Sequence, residues 1–175
     1  MNNYLLYFSI GPVQSFIAQA RKVIDLYGGS RMLSDVIHNI LNIIPQDSII
    51  YPKNIENPPN LFIVELKDTN KAKVKEYAEK IENDIRENIK CKAMGLLDRY
   101  WNNNKNGKLK EKGEAQIKDF LSIHWAAVLS EDEKYPESYK KLIQLAGAVK
   151  NTRIFKQFPE TGRKCSVCGE RNVLF

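Results

Sequence analysis

Two cysteines near the end of the sequence have the clearest potential for chemistry. Cys165 and Cys168 lie two residues apart in the stretch RKCSVCGERNVLF, and a glycine follows the second cysteine. Structural zinc is usually held by four ligands that come as two such pairs. A redox-active pair would need to begin a helix after a strand, whereas this pair lies in a basic tail. We therefore expect half of a zinc ribbon, with Cys165 and Cys168 as two of its four ligands.

The remaining thiol does not complete this site, because Cys91 falls in the middle of a predicted helix. The chain from about residue 151 is predicted to be a basic, loop-like tail. Two thiolates bind zinc far more weakly than four. We therefore expect the tail to pack poorly without the metal that would fold it, and zinc to be absent or shared between molecules.

Two glycine-containing stretches could bind phosphate. In SIGPVQS (9–15) a turn leads into a helix, and in DLYGGSR (25–31) two glycines precede a predicted helix N-terminus. Backbone N–H groups at the start of a helix attract anions. The alternatives are a simple tight turn and a simple break between helices. The candidate residues are Gly11, Gln14, Ser15, Gly29, Ser30 and Arg31.

The sequence contains no recognisable catalytic motif. It has no GxxxxGK[ST] or GxGxxG motif, no His-Asp dipeptide and no Asp-Asp pair. A two-metal phosphoryl-transfer site needs clustered carboxylates. His38 and His124 have no carboxylate or second histidine at ligand spacing, so we interpret both as structural. The chain alone is not expected to be an enzyme.

Composition indicates one domain with its own core and a basic surface. The chain has 175 residues, a hydrophobic fraction of 43% and a net charge of +6. Such a charge favours nucleic acid or nucleotide phosphates as partners, or serves only solubility. Three cysteines and no secretory context argue against a disulfide framework. The N-terminal stretch is neither a signal peptide nor a membrane span, so a cytoplasmic protein is expected.

Hydrophobic periodicity predicts four strands and five helices. The predicted strands are 4–10, 48–51, 61–67 and 123–129. The predicted helices are 12–27, 30–44, 70–101, 114–121 and 136–149. The first helix is expected to break at Gly28-Gly29, and 102–113 is expected to be a mobile loop.

This order matches a strand–helix–strand unit repeated twice, with the first helix doubled and a last helix added. The pattern is that of the ferredoxin-like α+β fold, an antiparallel sheet with helices on one face. The predicted domains are a ferredoxin-like palm domain at 1–150 and, at 151–175, a basic tail that enters an incomplete zinc ribbon.

The run YFSIGPVQSFIAQARKVIDLYGGSRMLSDVI (7–37) resembles the first palm-like domain of the large subunit of Cmr-type, type III-B CRISPR interference complexes. The residues that carry the resemblance are Gly11-Pro12-Val13-Gln14, Phe16-Ile17, Ala20-Arg21, Asp25-Leu26, Gly29-Ser30 and Leu33-Ser34. NPPNLFIV and the cysteine-bearing tail also match the family's next strand and the start of its zinc ribbon.

The resemblance implies a non-catalytic role in a larger machine. In the family, ATP binds between this palm and a second palm, whose Gly-Gly-Asp-Asp motif makes cyclic oligoadenylates when target RNA is bound. ATP with divalent metal, CRISPR RNA, target RNA and the other Cmr subunits are the implied ligands and partners. The turn 11–15 and the segment 29–31 would lie near the nucleotide.

An alternative is a free-standing basic RNA-binding domain, since ferredoxin-like folds often bind RNA. Its usual signature of a glycine and paired aromatics is absent from LFIVELK (61–67).

Overall fold

A computed structural model describes residues 2–101, 107–118, 120–152, 162–167, 169 and 171–173. The strands are β1 (Asn2–Gly11), β2 (Ile49–Tyr51), β3 (Leu61–Thr69) and β4 (Ser122–Ser130). The helices are α1 (Val13–Ala18), α2 (Val23–Ile43), α3 (Lys71–Trp101), α4 (Gly107–Lys118) and α5 (Tyr135–Asn151). Short 3₁₀ turns span Gln46–Ser48 and Asp132–Lys134. Within these described residues, no helix is both long enough and apolar enough to cross a membrane.

The sheet has the topology predicted from the sequence. Its strands lie in the order β2-β3-β1-β4, and every paired neighbour is antiparallel. This is the strand order of the ferredoxin-like α+β fold, so the predicted fold class is confirmed. Strand β1 is central and is buried from Leu5 to Ile10, which explains why its sequence is a continuous apolar run.

The side chains of β1 alternate between two hydrophobic cores. Leu6 and Phe8 point toward α2 and α3, and the ring of Phe8 stacks on that of Phe62 with centroids 4.9 Å apart. Leu5 and Tyr7 point to the opposite face, where they pack with Leu142 of α5. The two helices of the ferredoxin-like pattern therefore cover one face, and the added helix α5 covers the other.

The break between the first two helices is not where the sequence predicted it. Helix α2 runs through Gly28-Gly29 without interruption, and the chain instead leaves the helical conformation between Ala18 and Val23. Lys22 is extended, and its carbonyl accepts the N–H groups of Asp25 and Leu26 as α2 begins. Each helical glycine costs roughly 1 kcal/mol relative to alanine, which a 21-residue helix can tolerate. The prediction of a break at 28–29 was therefore wrong.

The predicted loop 102–113 is also partly helical. Helix α4 begins at Gly107, seven residues before the predicted start, and packs against α3. Residues 102–106 lie outside the described residues. The stretch KLKEKGEAQIK consists mostly of good helix formers. Because most of its residues are polar, the sequence gives little sign of the narrow face on which Gly113 is buried.

Replacing Phe62 with alanine should strongly destabilise the fold. Phe62 is fully buried and stacked on Phe8, so Phe62→Ala should lower the free energy of unfolding by about 3–5 kcal/mol. The half-exposed Ile143 is the control, because Ile143→Ala should change it by less than about 0.5 kcal/mol. Urea unfolding followed by circular dichroism measures both. Equal effects of the two substitutions would contradict this core assignment.

His124 should make stability depend on pH. Burial and the nearby Lys150 ammonium lower its pKa below the ordinary value of 6.5, and Glu82 opposes them. The folded protein therefore binds this proton less readily than the unfolded chain, so stability should fall as the pH drops below about 6.5 toward the folded pKa. His124→Gln should reduce the loss of urea midpoint between pH 7.5 and 5.5. An unchanged pH profile in the variant would refute this coupling.

Candidate functional site

The first predicted phosphate-binding stretch forms a tight passage from β1 into α1. Gly11 ends the strand and Pro12 precedes the first helical residue. Asn60 fixes the end of β1 by two hydrogen bonds with Ile10. The Asn60 side-chain amide donates to the Ile10 carbonyl at 3.1 Å, and the Ile10 N–H donates to the Asn60 carbonyl at 2.9 Å. Gln14 is exposed, whereas the side chain of Ser15 lies outside the described ones. A side chain at Gly11 would meet nothing within 4 Å, so open space adjoins the turn.

The second predicted stretch has a different geometry from the one expected. Gly29, Ser30 and Arg31 lie inside α2, not at its N-terminus. Their N–H groups therefore point along the helix to carbonyls four residues earlier and cannot surround an anion. The Arg31 guanidinium lies 3.0 Å from the Asp35 carboxylate and donates to the Asn57 side chain at 2.7 Å.

The two stretches are on successive elements, but no direct contact joins them. Helices α1 and α2 pack together. Among the hydrogen bonds and ion pairs of the described residues, none links residues 11–15 with residues 29–31. Among the described side chains, the structure therefore builds no single hydrogen-bonded site from the two stretches.

One side of α2 holds the loop that precedes β3. The Ser34 hydroxyl donates to the Pro58 carbonyl at 3.2 Å, and His38 Nδ1 lies 2.6 Å from the Ile55 carbonyl. Asn42 contacts the other ring nitrogen of His38 at 2.9 Å. These contacts agree with the structural role expected for His38.

The described part of the C-terminal tail forms a hairpin around Cys165. The Cys165 N–H donates to the Arg171 carbonyl at 2.7 Å, and Lys164 forms a β-bridge with Asn172. Gly169 adopts a left-handed conformation with φ of 68°, and its N–H donates to the Cys165 carbonyl at 2.9 Å. The glycine after the second cysteine is therefore the residue that lets the chain reverse.

The sulfur of Cys165 is held inside this turn. The Val167 N–H donates to Cys165 Sγ at 3.4 Å. Cys168, the second predicted ligand, lies outside the described residues. Over the part of the chain that the structure describes, no group of three or more His, Cys, Asp or Glu side chains is placed to hold a metal ion.

The described part of the hairpin is packed against α4, whereas the sequence led us to expect a poorly packed tail. The Gln116 side chain of α4 donates to the Asn172 carbonyl at 2.8 Å, and Arg171 donates to the Gln116 carbonyl at 2.9 Å. The Arg171 guanidinium also lies 5.0 Å from the centre of the Phe120 ring. Because these contacts join two segments about 55 residues apart in the sequence, no local sequence pattern predicts them.

A further contact places the hairpin beside the start of α2. Arg21, between α1 and α2, donates to the Ser166 carbonyl at 2.9 Å. Sequence reasoning did not single out Arg21 as a positioning residue. The turn that holds Cys165 is thus fixed both to α4 and to the α1–α2 junction.

Two surface clefts lie away from these stretches. A cleft of about 540 Å³ lies between α3 and α4 and is bordered by Arg86, Lys90 and Glu114. Another of about 530 Å³ lies between α2 and α3, with Cys91 at its rim. Neither cleft includes a residue predicted to bind phosphate or metal, so the candidate sites remain the β1–α1 turn and, separately, the C-terminal hairpin.

Comparison with known proteins gives two matches. Residues 5–60 match the family model described as CRISPR-associated protein Cmr2, N-terminal. The CRISPR system Cmr subunit Cmr2 of Pyrococcus furiosus is 25% identical over 215 aligned positions, which cover 97% of this chain. The chain spans about a quarter of that relative's length, 24%. These two matches support the resemblance of the chain to the N-terminal region of Cmr2, a subunit of Cmr-type CRISPR systems.

Proposed function

We propose that this chain is the non-catalytic first palm domain of the large subunit of a type III-B CRISPR effector complex, which acts in the cytoplasm in antiviral defence. The observation that carries the proposal is the family match over residues 5–60, which spans β1, both helices that follow it and β2. These elements include the central strand of the sheet, one of its edge strands and the helix α2, whose buried side packs in the main core. The other Cmr subunits, CRISPR RNA and target RNA are the proposed partners of the complete protein.

The proposed role at the nucleotide is to form one wall of an ATP cleft. The open space beside Gly11 and the exposed side chain of Gln14 support this role, since both adjoin the end of the central strand. The sequence lacks an Asp-Asp pair that could hold two catalytic cations. Synthesis of cyclic oligoadenylates is therefore assigned to the complete subunit, with divalent metal and the reacting groups supplied outside these residues.

We propose the C-terminal hairpin as half of a structural zinc site. Cys165 and Cys168 would hold the metal, with two further ligands from outside this chain. The Val167 N–H beside Cys165 Sγ and the left-handed Gly169 support this assignment, because together they shape a turn with its sulfur pointing inward. Bound zinc would supply a cross-link that stabilises the hairpin on α4.

A free-standing RNA-binding domain is less well supported. Ferredoxin-like domains of that kind stack bases on the sheet face that their two helices leave open. Here α5 occupies that face, where Leu142 and Ala146 pack against Leu5 and Ile63. The sheet therefore offers little area on which bases could stack.

Gln14 provides a test of the ATP-cleft proposal. In the complete subunit, reconstituted with its complex and target RNA, Gln14→Ala should lower oligoadenylate synthesis roughly tenfold, because a hydrogen bond to a charged group contributes about 1.5–3 kcal/mol. Gln144→Ala, on the exposed side of α5, is the matched control. The isolated 175-residue chain with ATP and Mg²⁺ or Mn²⁺ should give no product by chromatography. Equal rates for the two variants, or synthesis by the isolated chain, would contradict the proposal.

The zinc proposal makes a prediction about metal content. A longer protein that includes downstream cysteines should contain about one zinc per chain by elemental analysis, as expected for a four-ligand site. Cys165→Ser or Cys168→Ser should remove most of this zinc, whereas Cys91→Ser, on the exposed side of α3, should leave it unchanged. Zinc should also protect Cys165 and Cys168 from alkylation. A metal-free longer protein with both thiols readily alkylated would show that the assignment is wrong.

A further inference from the structure

The first turns of α2 expose an unusual concentration of apolar side chains. Val23 is 81% exposed, Ile24 73% and Tyr27 67%, and Leu26 is exposed as well. We call these four residues the α2-start surface. Asp25 is the one polar residue among five consecutive positions. Helical spacing of three and four residues places Val23, Leu26 and Tyr27 side by side, with Ile24 adjoining Tyr27, so the surface is continuous.

This surface extends beyond the domain's own core. The buried side of α2 begins only at Leu33 and continues through Leu41. From Val23 to Arg31 the residues are exposed apart from the half-buried Gly29, and Met32 is the first side chain of α2 to pack against the core. Contiguous exposed apolar surface of this kind typically marks a site of protein–protein contact.

Gly28 is a second, independent sign that another molecule approaches here. It lies in the exposed interior of α2, where glycine is among the least stabilising residues. A Cβ atom at Gly28 would meet nothing within 4 Å, so crowding inside this chain does not require glycine. Close approach of a second backbone to the helix would require it.

The charges around the surface indicate the chemistry of its partner. Arg21 and Lys22 are exposed at the edge where α2 begins, and neither makes an ion pair with any described carboxylate. The positive end of the helix dipole adds to their charge. A second copy of this chain, with its net charge of +6 and the same basic edge, is a poor match.

We propose that the α2-start surface binds another subunit of the type III-B complex, through a patch on that subunit with an apolar centre and a rim of carboxylates. This inference rests on the proposed function, since it takes the partner from the same complex. The aliphatic side chains and Tyr27 fill the centre of the contact, Gly28 lets the partner's backbone approach, and Arg21 and Lys22 meet the carboxylates. The contact of Arg21 with the Ser166 carbonyl holds this basic edge in place.

The test uses the other Cmr subunits of the same organism, each purified and titrated against this chain by biolayer interferometry. Wild type should bind one of them, and Ile24→Ser should weaken that binding at least tenfold. Ile143→Ser is the matched control, because Ile143 is also an exposed helical isoleucine and lies on α5. It should bind like wild type. Lys22→Glu should slow association and reduce its dependence on salt.

Gly28→Ala separates a binding role from a folding role. Alanine stabilises an exposed helix interior, so the melting temperature of the isolated chain should rise by about 2–4 °C. Binding to the partner subunit should nevertheless weaken severalfold, because the added methyl group blocks close approach. A variant that melts higher and binds as well as wild type would overturn the role given to Gly28.

The remaining outcomes distinguish failure of this inference from failure of the proposed function. If wild type binds a Cmr subunit and Ile24→Ser binds it equally well, the surface is not the docking site and the proposed function stands. If wild type binds neither another Cmr subunit nor the remainder of the large subunit, both fall. If light scattering shows a wild-type dimer that Ile24→Ser dissociates, or if the surface binds only the remainder of the large subunit, the partner has been assigned wrongly.

Discussion

The antiparallel pairing of β1 with β3 and β4 is the constraint on which the rest of the structure depends. Residues Tyr4 to Ser9 of β1 pair with both β3 and β4, and their alternation sends Phe8 to one core and Tyr7 to the other. Because the side-chain period is two, a shift of one residue would exchange the two faces and bury the wrong set on each side. The stacked Phe8 and Phe62 rings oppose such a shift, since they meet only in the observed register.

This register also determines where the candidate site lies. Gly11, the last residue of β1, pairs with Ser122, the first residue of β4, so the chain leaves the sheet there. The buried central strand therefore fixes the position of the β1–α1 turn, although few side chains of the turn are themselves buried. A site built in this way gains a rigid backbone position from the sheet while its exposed side chains remain available to a ligand.

The strands and the fold class could be predicted because their signals are local. Each strand is a short apolar run that ends near Gly, Pro, Asn or Ser, and the repeated strand–helix–strand order admits few arrangements. The helix boundaries could not be predicted equally well. Apolar spacing continues in phase across Gln19–Lys22, a stretch without glycine or proline, while Gly28-Gly29 carries a strong break signal that helix α2 overrides. Helical hydrogen bonding along the rest of α2 outweighs two unfavourable residues.

The cysteine pair shows how far spacing alone can predict a site. The spacing and the glycine at 169 predicted a metal-binding turn, and the structure shows a hairpin in which Gly169 is left-handed and the Val167 N–H donates to Cys165 Sγ. That hairpin is held by Gln116 and Arg21 through contacts between segments that are 55 and 145 residues apart in the sequence. Neither cysteine spacing nor charge predicts such long-range contacts. The tail was expected to pack poorly without the metal that would fold it. Backbone carbonyls that accept long polar side chains provide anchors instead.

The start of α2 shows the corresponding limit for hydrophobic patterns. Ile24 and Tyr27 have the helical spacing that is typical of core residues, yet both are exposed. The pattern is correct about their chemistry but carries no information about which surface covers them. A helix that continues past its own core exposes the same stripe to whatever lies beyond it. The apolar stripe, the uncrowded Gly28 and the basic edge at Lys22 therefore have a single physical explanation if the side chains that bury this helix belong to another molecule.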